Sequence, residues 1–215
     1  MIDLHMHTFF SDGELIPSEL MRRAYCAGYK AMAITDHADN SNIETLLHNL
    51  LVFVKDTKKH TDITVIPGVE ITHVAPCLIS SCVEKSRKLG AKIVVVHGET
   101  IVEPVAEGTN RAAIEAGVDL LAHPGLITDQ DVKSAVEKNV CLEITARRGH
   151  SLTNGHVAKL AKKYGAKMVV NSDCHSPSDL LNERLRDSII RGAGLDEEDI
   201  DKIIKNSEDL VAKLS

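Results

Sequence analysis

The chain has no tryptophan, and only three tyrosines and three phenylalanines among its 215 residues. A surface that grips single-stranded nucleic acid needs exposed rings for stacking, and this composition offers few. Positive charge is also short: 25 Lys and Arg stand against 31 Asp and Glu, for a net charge of −6. That balance opposes non-specific attraction to a phosphate backbone but is compatible with a local positive site. No apolar run approaches the roughly 20 residues of a membrane span, so no membrane partner is expected. The first strand opens at Met1, which leaves no room for a signal peptide, and a cytoplasmic location is expected. Five cysteines (Cys26, Cys77, Cys82, Cys141 and Cys174) are odd in number, scattered, and form no Cys-x-x-Cys pair. They read as small apolar residues of a reduced protein rather than as a disulfide framework. What the chain does have is eleven histidines.

Short β-type runs alternate with helical stretches from end to end. Strands are expected over 1–4, 30–35, 63–69, 91–96, 118–122, 140–144 and 167–171, with helices between them. Pro17, Pro76 and Pro104 read as helix openers, Gly28, Gly90, Gly117 and Gly165 as stops, and Thr128 with Asp131 as a capping pair. The last stretch, 179–214, reads as helical with a break at Gly192-Ala193-Gly194. Seven strands alternating with helices predict a parallel sheet with helices outside it. An open doubly wound sheet would fit that alternation equally well. The position of the polar residues favours a barrel, because six of the seven strands carry His, Asp or Glu at their C-terminal edge. In a barrel those ends converge on one mouth; in an open sheet they spread along an edge. No repeat or linker divides the chain, so a single domain over 1–215 is expected.

The first strand runs into His5-Met6-His7, with Asp12 in the turn that follows. Histidines at i and i+2 on an extended segment face the same way and can reach one ion. Alone this is a weak signal. However, His37 follows the second strand, Glu70 the third, His97 the fourth, His123 the fifth, and Asp173 with His175 the seventh. Nine candidate ligands on one side of the sheet exceed what one ion takes, so two or three divalent ions with shared ligands are expected. Three divalent ions outweigh the three carboxylates, and the positive surplus suits a phosphate dianion. Such a cluster also generates hydroxide near neutral pH and can clamp an in-line displacement at phosphorus.

These motifs are His5-Met6-His7 with Ser11-Asp12-Gly13, Thr35-Asp36-His37, Pro67-Gly68-Val69-Glu70, His97-Gly98-Glu99, Ala122-His123-Pro124-Gly125 and Asn171-Ser172-Asp173-Cys174-His175. Together they resemble the polymerase-and-histidinol-phosphatase (PHP) metal-dependent phosphoesterases over nearly the whole chain. The resemblance implies a distorted TIM-like (β/α)7 barrel and up to three ions (Zn, Mn or Fe). It implies that His5, His7, Glu70 and Asp173 hold the first ion, that Glu70 bridges to a second on His97 and His123, and that Asp12, His37 and His175 hold the third.

Asp36, Glu70 and Asp173 are the candidate catalytic carboxylates; Asp36 could orient a ligand or donate a proton to the leaving oxygen. The sixth strand supplies no expected ligand but leads into Arg147-Arg148-Gly149-His150. Either arginine could fork onto phosphate oxygens, and His150 could touch substrate. Glu99 is expected beside the ligands rather than among them, and His73 is ambiguous. The expected activity is phosphatase action on a small phosphorylated metabolite, such as histidinol phosphate, by a metal-bridging hydroxide. A phosphodiesterase or exonuclease is the alternative. An amidohydrolase-type C–N hydrolase, which also starts from His-x-His, is disfavoured, because it would be expected to use a bridging carboxylated Lys where the fourth strand here ends in His97. A metal-binding or RNA-associated scaffold without turnover is opposed by the complete ligand set.

Overall fold

In a computed structural model, described here over residues 1–214, eight parallel strands and eight α-helices alternate. The strands are β1 (Ile2–Asp3), β2 (Ala31–Ile34), β3 (His37–Ala38), β4 (Thr64–Ile71), β5 (Ile93–His97), β6 (Leu120–Ala122), β7 (Cys141–Thr145) and β8 (Met168–Asn171). The helices are α1 (Pro17–Cys26), α2 (Ile43–Thr57), α3 (Pro76–Lys88), α4 (Thr109–Glu115), α5 (Asp129–Lys138), α6 (Asn154–Tyr164), α7 (Glu183–Gly192) and α8 (Glu197–Leu214).

Seven strands pair in the order β1-β2-β4-β5-β6-β7-β8, and β3 is a short side-piece on β4. The sheet curls until its two ends meet, giving a nearly closed, distorted TIM-like barrel. The seam between β8 and β1 has no regular ladder. A single parallel bridge, Met6 with Cys174, joins it, with His7 N–H donating to Cys174 O at 2.8 Å. Below that bridge, side chains do the stitching: Leu4 N–H donates to Asn171 Oδ1 at 2.8 Å and Ser172 N–H to Asp3 Oδ2 at 3.1 Å. Asp3 is fully buried there, and burial pushes its pKa up to about 7.

The two-residue period of a strand explains how apolar floor and polar mouth share one interior. Inward positions climb in steps of two: Ile66, Gly68, Glu70; Ile93, Val95, His97; Val169, Asn171, Asp173. The lower members pack with Leu4, Ala33, Leu120 and Ala122 in an inner apolar cluster, plugged from below by Leu210 and Leu214 of α8. The outward members pack against the helices in a second, larger cluster. Each such fully buried aliphatic side chain contributes about 1.5–3 kcal/mol. The inner layer is tight enough to require glycine at 68, where a Cβ would lie 2.3 Å from Ile93 Cγ2 and 2.5 Å from Ile93 O.

Three local expectations are corrected. The Pro104 helix does not form: the chain turns at Glu103–Val105 and α4 begins only at Thr109, after Gly108 at φ 90°. Residues 98–108 therefore lie irregularly over the barrel mouth. The last helical stretch starts not at Asp179 but at Glu183, where Asn182 accepts from Leu185 N–H. The third strand continues past Val69 to Ile71, so Glu70 sits inside it. Thr128 caps α5 as expected, accepting from Asp131 N–H, and α6 ends at Gly165. No helix among the described residues is long and apolar enough to cross a membrane.

Candidate metal and active site

Strand register gathers the histidines and acids. His37 is the register partner of Glu70, Glu70 of Val95, and His97 of Ala122, one residue before His123. The seam bridge sets His7 beside Asp173 and His175. Three non-glycine residues around the mouth hold left-handed backbone: His73 at φ 52°, His123 at φ 25° and Asp173 at φ 53°. Such conformations are strained and persist where the surrounding structure dictates them.

All nine candidate ligands meet in one cluster. Glu70 Oε1 lies 3.3 Å from His5 Nε2, 3.4 Å from His97 Nδ1 and 3.6 Å from His123 Nε2. Its Oε2 lies 2.8 Å from His37 Nδ1 and 3.6 Å from His7 Nε2. Asp173 Oδ1 is 3.2 Å from His7 Nε2 and 3.4 Å from His175 Nδ1, and its Oδ2 is 3.6 Å from His123 Nε2. Asp12 Oδ1 is 3.3 Å from His175 Nε2, 3.6 Å from His37 Nε2 and 4.0 Å from His7 Nδ1. Donor atoms thus converge in overlapping sets, among them His5-His7-Glu70, His5-His123-Asp173, His37-Glu70-His97 and His7-Asp12-His37-His175.

Many of these atoms are close to one another without a hydrogen-bond partner. His5 Nε2, both nitrogens of His7 and His97, His123 Nδ1, Glu70 Oε1 and Asp173 Oδ1 are buried with no hydrogen-bond partner. Buried polar groups are ordinarily satisfied. Ligands at about 2.1 Å from a common ion, at 90–109° to each other, stand about 3.0–3.4 Å apart without pointing at one another. The separations and the missing hydrogen bonds both fit this arrangement, so the residues present suit divalent ions.

The electrostatics show what the cluster does without ions. Burial opposes every charge here. Even so, Glu143, Glu70 and Asp173 hold the His5 pKa well above the usual imidazole range, and Glu70 lifts His37 to about 9 against its burial. Glu70 and Asp173 are in turn held well below the carboxylate range, despite burial, by the neighbouring histidines. His7 and His123 are pushed down by burial and stay neutral. Some imidazoles are therefore held in the charged form beside the carboxylates.

Hydrogen bonds to the far ring nitrogens orient the ligands. Glu143 is the residue that reading the sixth strand as ligand-free overlooks. It is fully buried, and its Oε1 lies 2.9 Å from His5 Nδ1 and accepts from Asn171 Nδ2 at 2.8 Å. Its Oε2 accepts from His123 N–H at 3.0 Å. The sequence signal is only a glutamate inside an otherwise apolar strand, Cys141-Leu142-Glu143-Ile144. His175 Nδ1 donates to Asp173 O at 2.8 Å, and His37 Nδ1 meets Thr72 Oγ1 at 2.7 Å. His5 and His175 thereby present Nε2 to the cluster, whereas His37 Nδ1 is shared between Thr72 and Glu70 and its Nε2 faces Asp12.

The remaining candidates divide. Asp36 is buried and its oxygens are taken by Thr8 N–H, Thr8 Oγ1 and Ser11 Oγ at 2.7–2.9 Å; it ties down the turn that carries Asp12. Arg147 lines the same cavity as the ligands, about 240 Å³ in volume, and lies 3.6 Å from Asp179. Arg148 is exposed and lines a neighbouring cavity instead. His150 is buried, stacked on His123, with Nδ1 2.8 Å from Thr100 Oγ1. Glu99 is clamped to Asn110 by a reciprocal pair of hydrogen bonds at 2.8 and 3.0 Å. Cys174 is buried, and its thiol donates to Ser176 O.

Residues 3–182 match the PHP domain family. The chain belongs to the PHP family. It is 47% identical over 204 residues to an uncharacterized protein of Methanocaldococcus jannaschii, with 94% of each covered. It is 27% identical over 229 residues to a protein of Clostridium botulinum named probable phosphatase, covering 99% of this chain and 93% of that one. The histidinol phosphate phosphatase of Lactococcus lactis, solved with zinc, L-histidinol and phosphate, shares the fold at TM-score 0.61 and 16% identity, covering 91% and 94% of the two chains. A chain of an archaeal ribonuclease P solved with mature tRNA shares it at TM-score 0.72 and 17% identity, covering 96% and 89%.

Proposed function

We propose that this PHP protein is a metal-dependent phosphatase of small phosphomonoesters. The observation that carries the reading is the set of buried, unpartnered His, Glu and Asp atoms converging at the mouth, beside an arginine in the same cavity. The family supports hydrolysis of a phosphoester, and the relative named probable phosphatase supports the monoester.

His5, His7, Glu70 and Asp173 would hold a first ion, His97 and His123 with Glu70 a second, and Asp12, His37 and His175 a third. Zinc, manganese or iron suits this mixed imidazole and carboxylate set. Bound there, such ions supply positive charge against phosphoryl oxygens and lower the pKa of water. The chain's own residues do the rest. Glu143 fixes the His5 tautomer with its proton on Nδ1, so that the Nε2 lone pair faces the cluster. Asp36 keeps the 8–11 turn in place and with it Asp12. Arg147 sits where its planar guanidinium can fork onto the phosphate oxygens and hold them in line.

The test is phosphate release from a metabolite panel that includes histidinol phosphate, with bound metals quantified. A phosphodiester and a single-stranded oligonucleotide run alongside, because a PHP barrel also occurs in the ribonuclease P assembly. Turnover of a monoester that falls with metal removal and returns on reloading is expected. Full activity in metal-depleted protein would overturn the reading.

A further inference from the structure

Beside the nine-residue cluster, one carboxylate draws His97 of that cluster together with two further imidazoles, His73 and His150. Glu103, on the irregular 98–108 segment, places Oε2 3.1 Å from His97 Nε2 and 3.2 Å from His73 Nε2, and Oε1 3.3 Å from His150 Nε2. The ligand atoms of His73, His97 and Glu103 lie within 4.8 Å of one another. Two independent observations show that this is more than surface pairing. The His97 ring is 4% exposed, and its Nε2 aims at Glu103 without making a hydrogen bond. His73 keeps a left-handed backbone at φ 52°. Of the four non-glycine residues that do so among the described residues, Asn139 ends a helix, and His123 and Asp173 belong to the ligand cluster. His73 is the fourth, and its strained backbone delivers its ring to the rim.

We propose that the protein has a further divalent-cation position at the rim of the mouth, held by His73 Nε2, His97 Nε2 and the Glu103 carboxylate. Imidazole with carboxylate suits zinc or manganese. The position is reachable, since the side chains of Glu103 and His73 are 37% and 41% exposed. His97 stands between this position and the inner one, with Nδ1 3.4 Å from Glu70 Oε1. A neutral imidazole has one free lone pair. An ion at the rim therefore takes His97 through Nε2, and an ion beside Glu70 takes it through Nδ1. The two seats compete for the same ring, and the inner, dry seat and the outer, wet one exchange a single ligand.

This inference rests on the metal reading of the inner cluster, and the experiment separates the two. Crystals of the wild type and of Glu103→Gln, soaked at rising Zn2+, are examined by anomalous diffraction at the zinc edge. Density between His73, His97 and Glu103 in the wild type, lost in Glu103→Gln with the inner ions retained, is expected. Inner ions with an empty rim at every concentration overturn the rim position alone. No ion anywhere overturns the inner reading as well. In solution, His73→Ala and Glu103→Gln should each weaken one Zn2+-binding event by roughly tenfold or more in calorimetric titration. Both residues are partly exposed, so the thermal melt of the metal-free variants should match the wild type. Unchanged binding isotherms in both would refute the proposal.

Discussion

Replacing Glu143 by glutamine tests the most deeply buried part of the reasoning. The carboxylate faces only donors: His5 Nδ1 and Asn171 Nδ2 on one oxygen, His123 N–H on the other. Glutamine keeps the shape but brings an NH2 that must oppose at least one of these donors. A buried donor left unpaired costs about 1–3 kcal/mol, and the loss of charge-assisted bonding adds about 1, for roughly 2–4 kcal/mol in all. In a chain of this size that lowers Tm by roughly 5–15 °C. The same change frees His5 to rotate or to take the wrong tautomer, which should weaken the first ion by about 10–100-fold. The assay is a thermal melt and a Zn2+ titration of metal-free protein, each compared with Lys205→Ala on the exposed face of α8. A Glu143→Gln protein with wild-type stability and wild-type zinc affinity would refute the role assigned to Glu143.

Three further outcomes follow from the same geometry. His7→Ala and Asp173→Ala should abolish turnover and lose bound metal in elemental analysis, while His60→Ala, exposed in the turn after α2, leaves both unchanged. Arg147→Ala should raise KM at least severalfold, Arg147→Lys should recover part of the loss, and Arg148→Ala should do little in the same steady-state assay. In metal-free protein, the pKa of His37 stands at about 9 against an ordinary 6.5. Its stabilising contribution is therefore complete below pH 6.5 and lost as pH rises through 9. Melts in EDTA should show Tm falling across that window, whereas metal affinity should rise over the same range, because binding displaces the proton.

The fold was legible because two signals in the sequence agree. Strand runs such as Ile93-Val94-Val95-Val96 mark a buried parallel sheet, and the acids and histidines all follow on the same side. His5 and His7 do face one way, as an extended segment predicts, but they lie beyond β1, and a bend at Leu4 shifts the alternation so that they share the interior with Leu4. Glu143 was not legible in the same way. Its role depends on which side of β7 faces inward, which no local pattern fixes when both faces are buried. Glu103 was masked by Pro104, whose helix-opening preference loses to the turn at Glu103–Val105. Arg147 and Arg148 are neighbours in sequence and equal in chemistry. Only the backbone path after β7 separates the one in the cavity from the one beside it.

Asn171 joins two tasks usually kept apart. Its carbonyl oxygen accepts from Leu4 N–H and so stitches the end of the sheet to its beginning; its amide nitrogen donates to Glu143, which in turn steers His5. Barrel closure and ligand orientation therefore pass through one side-chain amide. A protein built this way cannot breathe open at its seam while keeping His5 and His7 aimed. Whatever binds those histidines acts as a clasp on the two ends of the sheet, joined by residues 167 apart in sequence.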